Sequence, residues 1–234
     1  MMSYATVVKE TISQYAELDI IDAHQIYLSK CKDVPEQTYY KTISRMTESG
    51  EIARLTKGIY CRPKTGRFGR RISSEKQILE HYLGKDGKNG VVVGYRMYNK
   101  YKLTTQISKR IDVYSNVSEQ EKKKVLDVTI KKANIKFDTS SIKMIELLDF
   151  LENVNKIEEL NKHHAIRFIE DAAALYNDQL LEKLVIAIGY KKSTLASLRN
   201  VLDYYKINHS IGKYLNSVSK YKSMKMEDLN EFTP

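Results

Sequence analysis

An α+β fold, mainly helical, is what this chain predicts, and three observations predict it. Apolar residues recur at helical spacing over most of its length, short β-rich runs interrupt that spacing, and turns rich in Gly and Pro separate the two kinds of segment. Taken in order, the segments predict a winged helix-turn-helix over 1–72, an α+β domain over 73–206 that finishes as a helical bundle, and a polar tail over 207–234.

The first domain opens with an amphipathic helix over 4–15, where Val7, Val8, Ile12 and Tyr15 make one face. An extended piece around 18–21 leads to a second helix over 23–30, with Asp22 as its cap. A third helix follows Pro35, which suits a first helical turn because its missing N–H would have no partner there, and Asp33 is placed to cap it. Tyr39, Ile43 and Met46 fall at i, i+4 and i+7 and should face a core. Gly50 ends the helix in a conformation that a Cβ resists. Ile52 and Leu55 frame one strand and Ile59 and Cys61 another, joined through Thr56, Lys57 and Gly58, which places Lys57 at the tip of a hairpin wing.

This arrangement is how a winged head holds duplex DNA, and it assigns thirteen candidate contacts. Gln37, Thr38, Tyr40, Lys41, Ser44 and Arg45 lie off the apolar stripe of the third helix and reach far enough to touch bases or phosphates. Tyr40 is the one tyrosine expected at DNA, where it would meet sugar, phosphate or a thymine methyl. Arg54, Lys57, Arg62, Lys64, Arg67, Arg70 and Arg71 follow with no acidic residue between Ile52 and Ile72, the pattern that neutralising a phosphate backbone requires. A solvated charge run is the ordinary explanation of basic clusters; here the run coincides with a helix-hairpin pattern that composition alone would not produce.

The stretch PKTGRFGRR, punctuated by Pro63, Gly66 and Gly69, reads as a linker. Beyond it a helix is expected over 74–83, a loop GKDGKNG, a strand over 91–93, a helix over 95–101, and strands over 111–115 and 125–131. Helices then follow from 140, over 160–176, 179–188 and 193–205. The tail after Lys206 is rich in Ser, Lys and Asn with weak periodicity and is expected to be loosely held in part.

With 234 residues the chain has room for a small reader head and a second domain. Its formal charge of +10 favours a polyanionic partner, and both parts share it: residues 1–72 hold twelve basic and eight acidic side chains, the rest twenty-seven and twenty-one. Cys31 and Cys61 lack metal-site or disulfide spacing. The first residues lack an apolar signal core and no segment is long enough to span a membrane, which makes the cytoplasm the expected compartment.

Catalysis is the minority expectation. GKDGKNG lacks the Gly-Lys-Ser/Thr ending of a phosphate loop and precedes a strand, so it reads as a flexible turn. His163 and His164 diverge on a helix and find no third ligand in the pattern, so one should be packed and the other solvated. Asp112, Glu121 and Lys123 can be ordered as a nuclease would order them, but that spacing is common by chance. No catalytic residues, metal or cofactor are therefore expected. Of the other tyrosines, Tyr39, Tyr82, Tyr98 and Tyr176 sit at core positions.

Several segments together resemble a known family. RLTKGIYCRPKTGRFG from Arg54, GYRMYNKYKLTTQIS from Gly94, IKFDTSSIKMIELLDFLENVNKI and the closing helices are similar to the AbiEi-like antitoxins of abortive-infection, type IV toxin-antitoxin systems, and to the branch long catalogued as a domain of unknown function. The resemblance spans roughly residues 4–206. It implies a winged domain that binds promoter DNA and represses its own operon, with Lys57 and Gly58 in the wing role, and a second domain that counters a cognate nucleotidyltransferase-type toxin. The Tyr95, Asn99, Thr104, Thr105 and Gln106 block is a hallmark of that family without an assigned mechanism, and a capping or turn role is the favoured reading. The expectation is thus a DNA-binding antitoxin and autorepressor, not an enzyme. Its rivals are a stand-alone winged-helix regulator, and a metal-dependent nuclease or nucleotide-transfer enzyme.

Overall fold

In a computed structural model of the chain, residues 2–67, 69–216 and 220–230 are described. The described residues form an α+β fold, about half helical, with ten α-helices and three small sheets. The chain divides into two compact units, Met1–Lys85 with Lys124–Val128, and Asp86–Lys123 with Thr129–Pro234.

In the first unit α1 (Tyr4–Ser13) buries Val8 and Ile12, and its N-cap Ser3 accepts from the Thr6 amide at 3.2 Å. Strand β1 (Ile20–Asp22) runs directly into α2 (Ala23–Lys30), where the Asp22 carboxylate accepts from the His24 and Gln25 amides as a cap should. Helix α3 (Glu36–Glu48) begins one residue later than a first-turn proline requires: Pro35 is itself the N-cap, and Asp33 stands too far upstream to cap. Its buried stripe is Tyr39, Ile43 and Met46, as the periodicity predicts, joined by Thr42, whose hydroxyl donates to the Thr38 carbonyl at 2.8 Å. The Tyr39 hydroxyl donates to the Ala23 carbonyl at 2.8 Å and ties α3 to α2.

Strands β2 (Ala53–Thr56) and β3 (Ile59–Cys61) form the expected hairpin, with Gly58 at φ +78°, and β1 pairs on the other edge of β3. The stretch expected to be a linker is a second antiparallel hairpin, β4 (Lys64–Gly66) and β5 (Gly69–Arg71), exposed on every residue described; Phe68 lies outside the described residues. Gly and Pro punctuate a ribbon turn and a linker alike, and the pairing of Lys64 with Arg71 leaves no apolar signature. Helix α4 (Glu75–Leu83) also belongs to this unit: it contacts β1, buries Ile78 and Tyr82, and follows Ser73, whose hydroxyl donates to the Leu18 carbonyl at 2.7 Å. The 72/73 boundary expected from sequence therefore falls inside the first compact unit.

The second unit places β6 (Gly90–Val93) and α5 (Tyr95–Lys100) before β7 (Ile111–Ser115), which is antiparallel to β6 with Val92 opposite Val113. The single strand expected over 125–131 is two, β8 (Lys122–Val125) and β9 (Val128–Lys132), turning at Leu126 with φ +52°. A turn without Gly or Pro at its centre gives no sequence warning. The four-stranded order is β6-β7-β9-β8. Helices α6 (Thr139–Asn153), α7 (Lys162–Ala173), α8 (Asp178–Ile188) and α9 (Lys192–Tyr204) follow, capped in turn by Asp138, Asn161 and Asn177 for the first three. Their apolar faces meet in one core that includes Leu148, Phe150, Phe168 and Leu198.

The segment after Lys206, expected to be loosely held in part, is anchored at several of its described residues. Ile211, Met224, Met226 and Leu229 are buried in the core of the second unit, and α10 (Glu227–Asn230) contacts α7. Four apolar anchors among many polar residues are enough to dock a segment yet too sparse to show a period. Residues 217–219 and 231–234 of that segment lie outside the described residues.

Candidate nucleic-acid interface

Burying Tyr39, Ile43 and Met46 turns the opposite face of α3 outward. Gln37, Tyr40, Lys41, Ser44 and Arg45 are exposed and Thr38 is half-buried. Tyr40 stacks edge-on against Tyr39 at 5.1 Å between ring centroids, and its hydroxyl lies 3.4 Å from His24 Nδ1. Burial, then Glu36 and Asp22, push the Tyr40 hydroxyl above its ordinary value, so it stays protonated and able to donate at neutral pH. Ser44 donates to Glu48 at 3.0 Å, which leaves Lys41 and Arg45 as the cations of the face.

The seven basic residues of the hairpins do not share one fate. Lys57 stands exposed at the tip of β2–β3, and Arg67 and Arg71 are exposed in and beside β4–β5; none has an ion pair among the described residues. Arg54 is exposed, with a long contact of 3.4 Å from Nε to the Thr56 carbonyl on its own strand. Lys64 lies 3.7 Å from Glu17, a weak surface pair. Arg62 and Arg70 have partners inside the unit. Arg62 Nη1 donates to the carbonyls of Ser13, the last residue of α1, and Tyr15 just beyond it, and Arg70 Nη2 donates to those of Gly50 and Ile52, where α3 gives way to β2. Helix ends leave carbonyls without intrahelical partners, and a guanidinium satisfies two of them at once. These two arginines fasten the framework that presents the others.

The Tyr95–Gln106 block is α5 followed by a turn that the block's own side chains hold. Asn99 Nδ2 donates to the carbonyls of Thr104 and Gln106 at 2.8 and 2.9 Å, and Thr104 Oγ1 donates to the Glu158 carbonyl at 2.8 Å. Asp112 and Glu121, set in line for a nuclease, line different cavities, and Lys123 is a half-buried strand residue of β8. His163 is exposed and His164 half-buried, with rings 5.9 Å apart. Among the described residues no three His, Cys, Asp or Glu side chains are grouped as a metal ion would need. Both cysteines are free and buried. No helix among the described residues is long and apolar enough to cross a membrane.

What sequence reasoning missed lies in the second unit: Asp149 and Tyr190 join Asp112 around a polar cavity. Asp149 is a half-buried position in the apolar helix α6 and Tyr190 lies between α8 and α9, so neither carries a pattern that marks it.

No curated protein matches this chain. Among solved structures, the crystal structure of the RV2827C protein from Mycobacterium tuberculosis is similar at 10% identity, covering 87% of this chain and 77% of that one with a TM-score of 0.39. A family model, the family of unknown function DUF6088, matches residues 31–183, from the end of α2 into α8. That match takes in α3, both hairpins and the Tyr95–Gln106 block, and the chain belongs to the DUF6088 family.

Proposed function

We propose that the first unit is a winged helix-turn-helix that binds duplex promoter DNA, and that the protein is an antitoxin and autorepressor of a toxin-antitoxin operon. One observation carries the DNA reading: an outward α3 face bearing Gln37, Tyr40, Lys41 and Arg45 is followed immediately by exposed hairpins whose Lys57, Arg67 and Arg71 have no ion pair among the described residues. A helix of this kind enters a major groove and reads base edges, and cations on ribbons beside it contact phosphate and set register. Arg62 and Arg70 support the framework in this reading, and Lys64 and Arg54 contribute phosphate contacts at the margin. The antitoxin role rests on the resemblance in Arg54–Gly69 and Gly94–Ser108 to AbiEi-like proteins, which pairs such a head with a domain countering a nucleotidyltransferase-type toxin. On this reading the protein acts in the cytoplasm by binding and has no catalysis of its own.

The test is fluorescence anisotropy of the full chain on its own promoter and on random duplex of equal length, across a salt series. Preference for the promoter with a steep salt dependence supports the reading; equal, salt-insensitive binding to both removes it. Co-expression with the toxin encoded beside it, scored as growth, tests the second role.

A further inference from the structure

The second unit contains a cavity of about 350 Å³ that the DNA reading does not use. Three groups on its wall have unmet hydrogen-bonding or charge capacity. Asp112 takes Arg110 on Oδ2, at 2.8 and 2.9 Å, while its Oδ1 is buried with no hydrogen-bond partner among the described residues. Tyr190 is partly exposed as a residue, but its hydroxyl oxygen is buried and likewise has no partner among the described residues. Asp149 Oδ2 accepts from the Tyr98 hydroxyl at 2.8 Å and the Gly94 amide at 3.0 Å, and Asp149 has no ion pair among the described residues. A buried acceptor without a donor costs free energy comparable to a lost hydrogen bond, so two such atoms in one cavity need an explanation.

The backbone is arranged to bring these groups together. Gly94 has φ +70°, a conformation that a residue with a Cβ rarely adopts, and that conformation turns its amide onto Asp149; a Cβ there would make only ordinary contact, at 3.5 Å, with Asp112 Oδ2. The same cavity wall offers charge of the opposite sign. Glu152 is neutralised by Lys191 at 2.7 Å and Asp112 by Arg110, whereas Lys131 and Lys156 have no carboxylate within ion-pair distance among the described residues. Lys131 Nζ sits 5.1 Å over the Tyr114 ring, so this cavity already accommodates an ammonium against an aromatic face. A pure amine would meet the lysines, and a pure anion would meet Asp149 and the donorless Asp112 oxygen.

From this we infer that the cavity is a binding site for a small zwitterion of the amino-acid class: its ammonium group against Asp112 Oδ1, Asp149 and the Tyr190 hydroxyl, its anionic group toward Lys131 and Lys156, and its side chain among the tyrosines. The site stands on this geometry and does not depend on the DNA reading. Ordered water is the competing occupant, because the space is polar and large enough to hold it.

The standard amino acids are the probes, screened on the full chain by thermal melting and followed by calorimetric titration. One or more should raise the melting temperature and bind with one-to-one stoichiometry, and the N-acetylated and decarboxylated forms of that amino acid should each bind at least about tenfold more weakly. Tyr190→Phe removes one oxygen at constant shape, and it and Asp112→Asn should each weaken binding by about tenfold while leaving the circular dichroism unchanged. No melting shift and no heat from any amino acid at about 10 mM would overturn the inference and leave water as the occupant. Equal affinity of the hit for Tyr190→Phe and the unaltered chain, or equal affinity for its acetylated form, would overturn it as well.

Discussion

Arg62 shows why a basic residue cannot be assigned to DNA by charge alone. Its guanidinium closes onto two carbonyls nearly fifty residues earlier in the chain, so Arg62→Ala should lower stability by about 1–3 kcal/mol, the range for hydrogen bonds to a charged group, with any loss of DNA affinity secondary to it. Lys41 and Arg45 have no such internal duty. On the proposed reading, changing both to Ala weakens binding to the native promoter much more than to random duplex, whereas changing Lys57 and Arg67 weakens both alike and flattens the salt slope by about one unit per lost phosphate contact. Anisotropy across a salt series separates the two patterns, and intact binding to both DNAs after all four changes would remove the interface. Asp149 carries a different kind of prediction. Burial raises its carboxyl above the ordinary value of 3.8 in the folded chain, against the opposing pull of Tyr98, Gly94 and Lys131. The native state therefore binds this proton more tightly than the unfolded chain does, and stability is lost as pH rises from near 3.8 through the folded value. Asp149→Asn keeps an acceptor for Tyr98 and Gly94 but has no proton to lose. Its stability relative to the unaltered chain should rise over that pH window and level off below it, as denaturant melts at a series of pH values would show.

At the scale of elements, α3 is the clearest case of a surface specified by its opposite face. Ile43 is 1% exposed, and an Asp there has no partner, so Ile43→Asp should cost several kcal/mol and unfold the first unit. Lys41→Asp on the outward face should leave the melting temperature unchanged and remove DNA binding. Equal melting temperatures for the two variants would mean that the helix is phased wrongly. The phase itself was legible because Tyr39, Ile43 and Met46 recur at helical spacing, as were the caps at Asp22 and the turn at Gly58, each a local rule. The β4–β5 hairpin was not legible. Its partners pair through backbone groups, which every residue carries, and the residues of both strands are exposed, with no apolar face to mark them. Two strands of this length are marginal in water by themselves, and Arg70 on Gly50 and Ile52 together with Lys64 near Glu17 attach them to the rest of the unit.

At the scale of the molecule, the extent of the first unit makes a fragment prediction. Helix α4 contributes Ile78 and Tyr82 to it, and Ser73 bonds back to Leu18, so a fragment of residues 1–85 should melt at a higher temperature than one of 1–71. On the proposed division of labour the longer fragment binds promoter DNA, and residues 86–234 give no promoter selection but protect cells from the cognate toxin. Growth on co-expression with the toxin is the measurement, and rescue by the N-terminal fragment alone would reverse the assignment.

The sequence by itself determined the α+β class, most helices, the buried stripe of α3 and the turn that exposes Lys57, because each follows from spacing or from the conformational rules of a few neighbouring residues. Only the tertiary structure decided that Arg62 and Arg70 serve the framework, that Met224, Met226 and Leu229 belong to the core, and that Asp112, Asp149 and Tyr190 face one cavity. Those outcomes depend on groups distant in the chain competing for the same carbonyls, core volume and buried space, and no local period records such a competition.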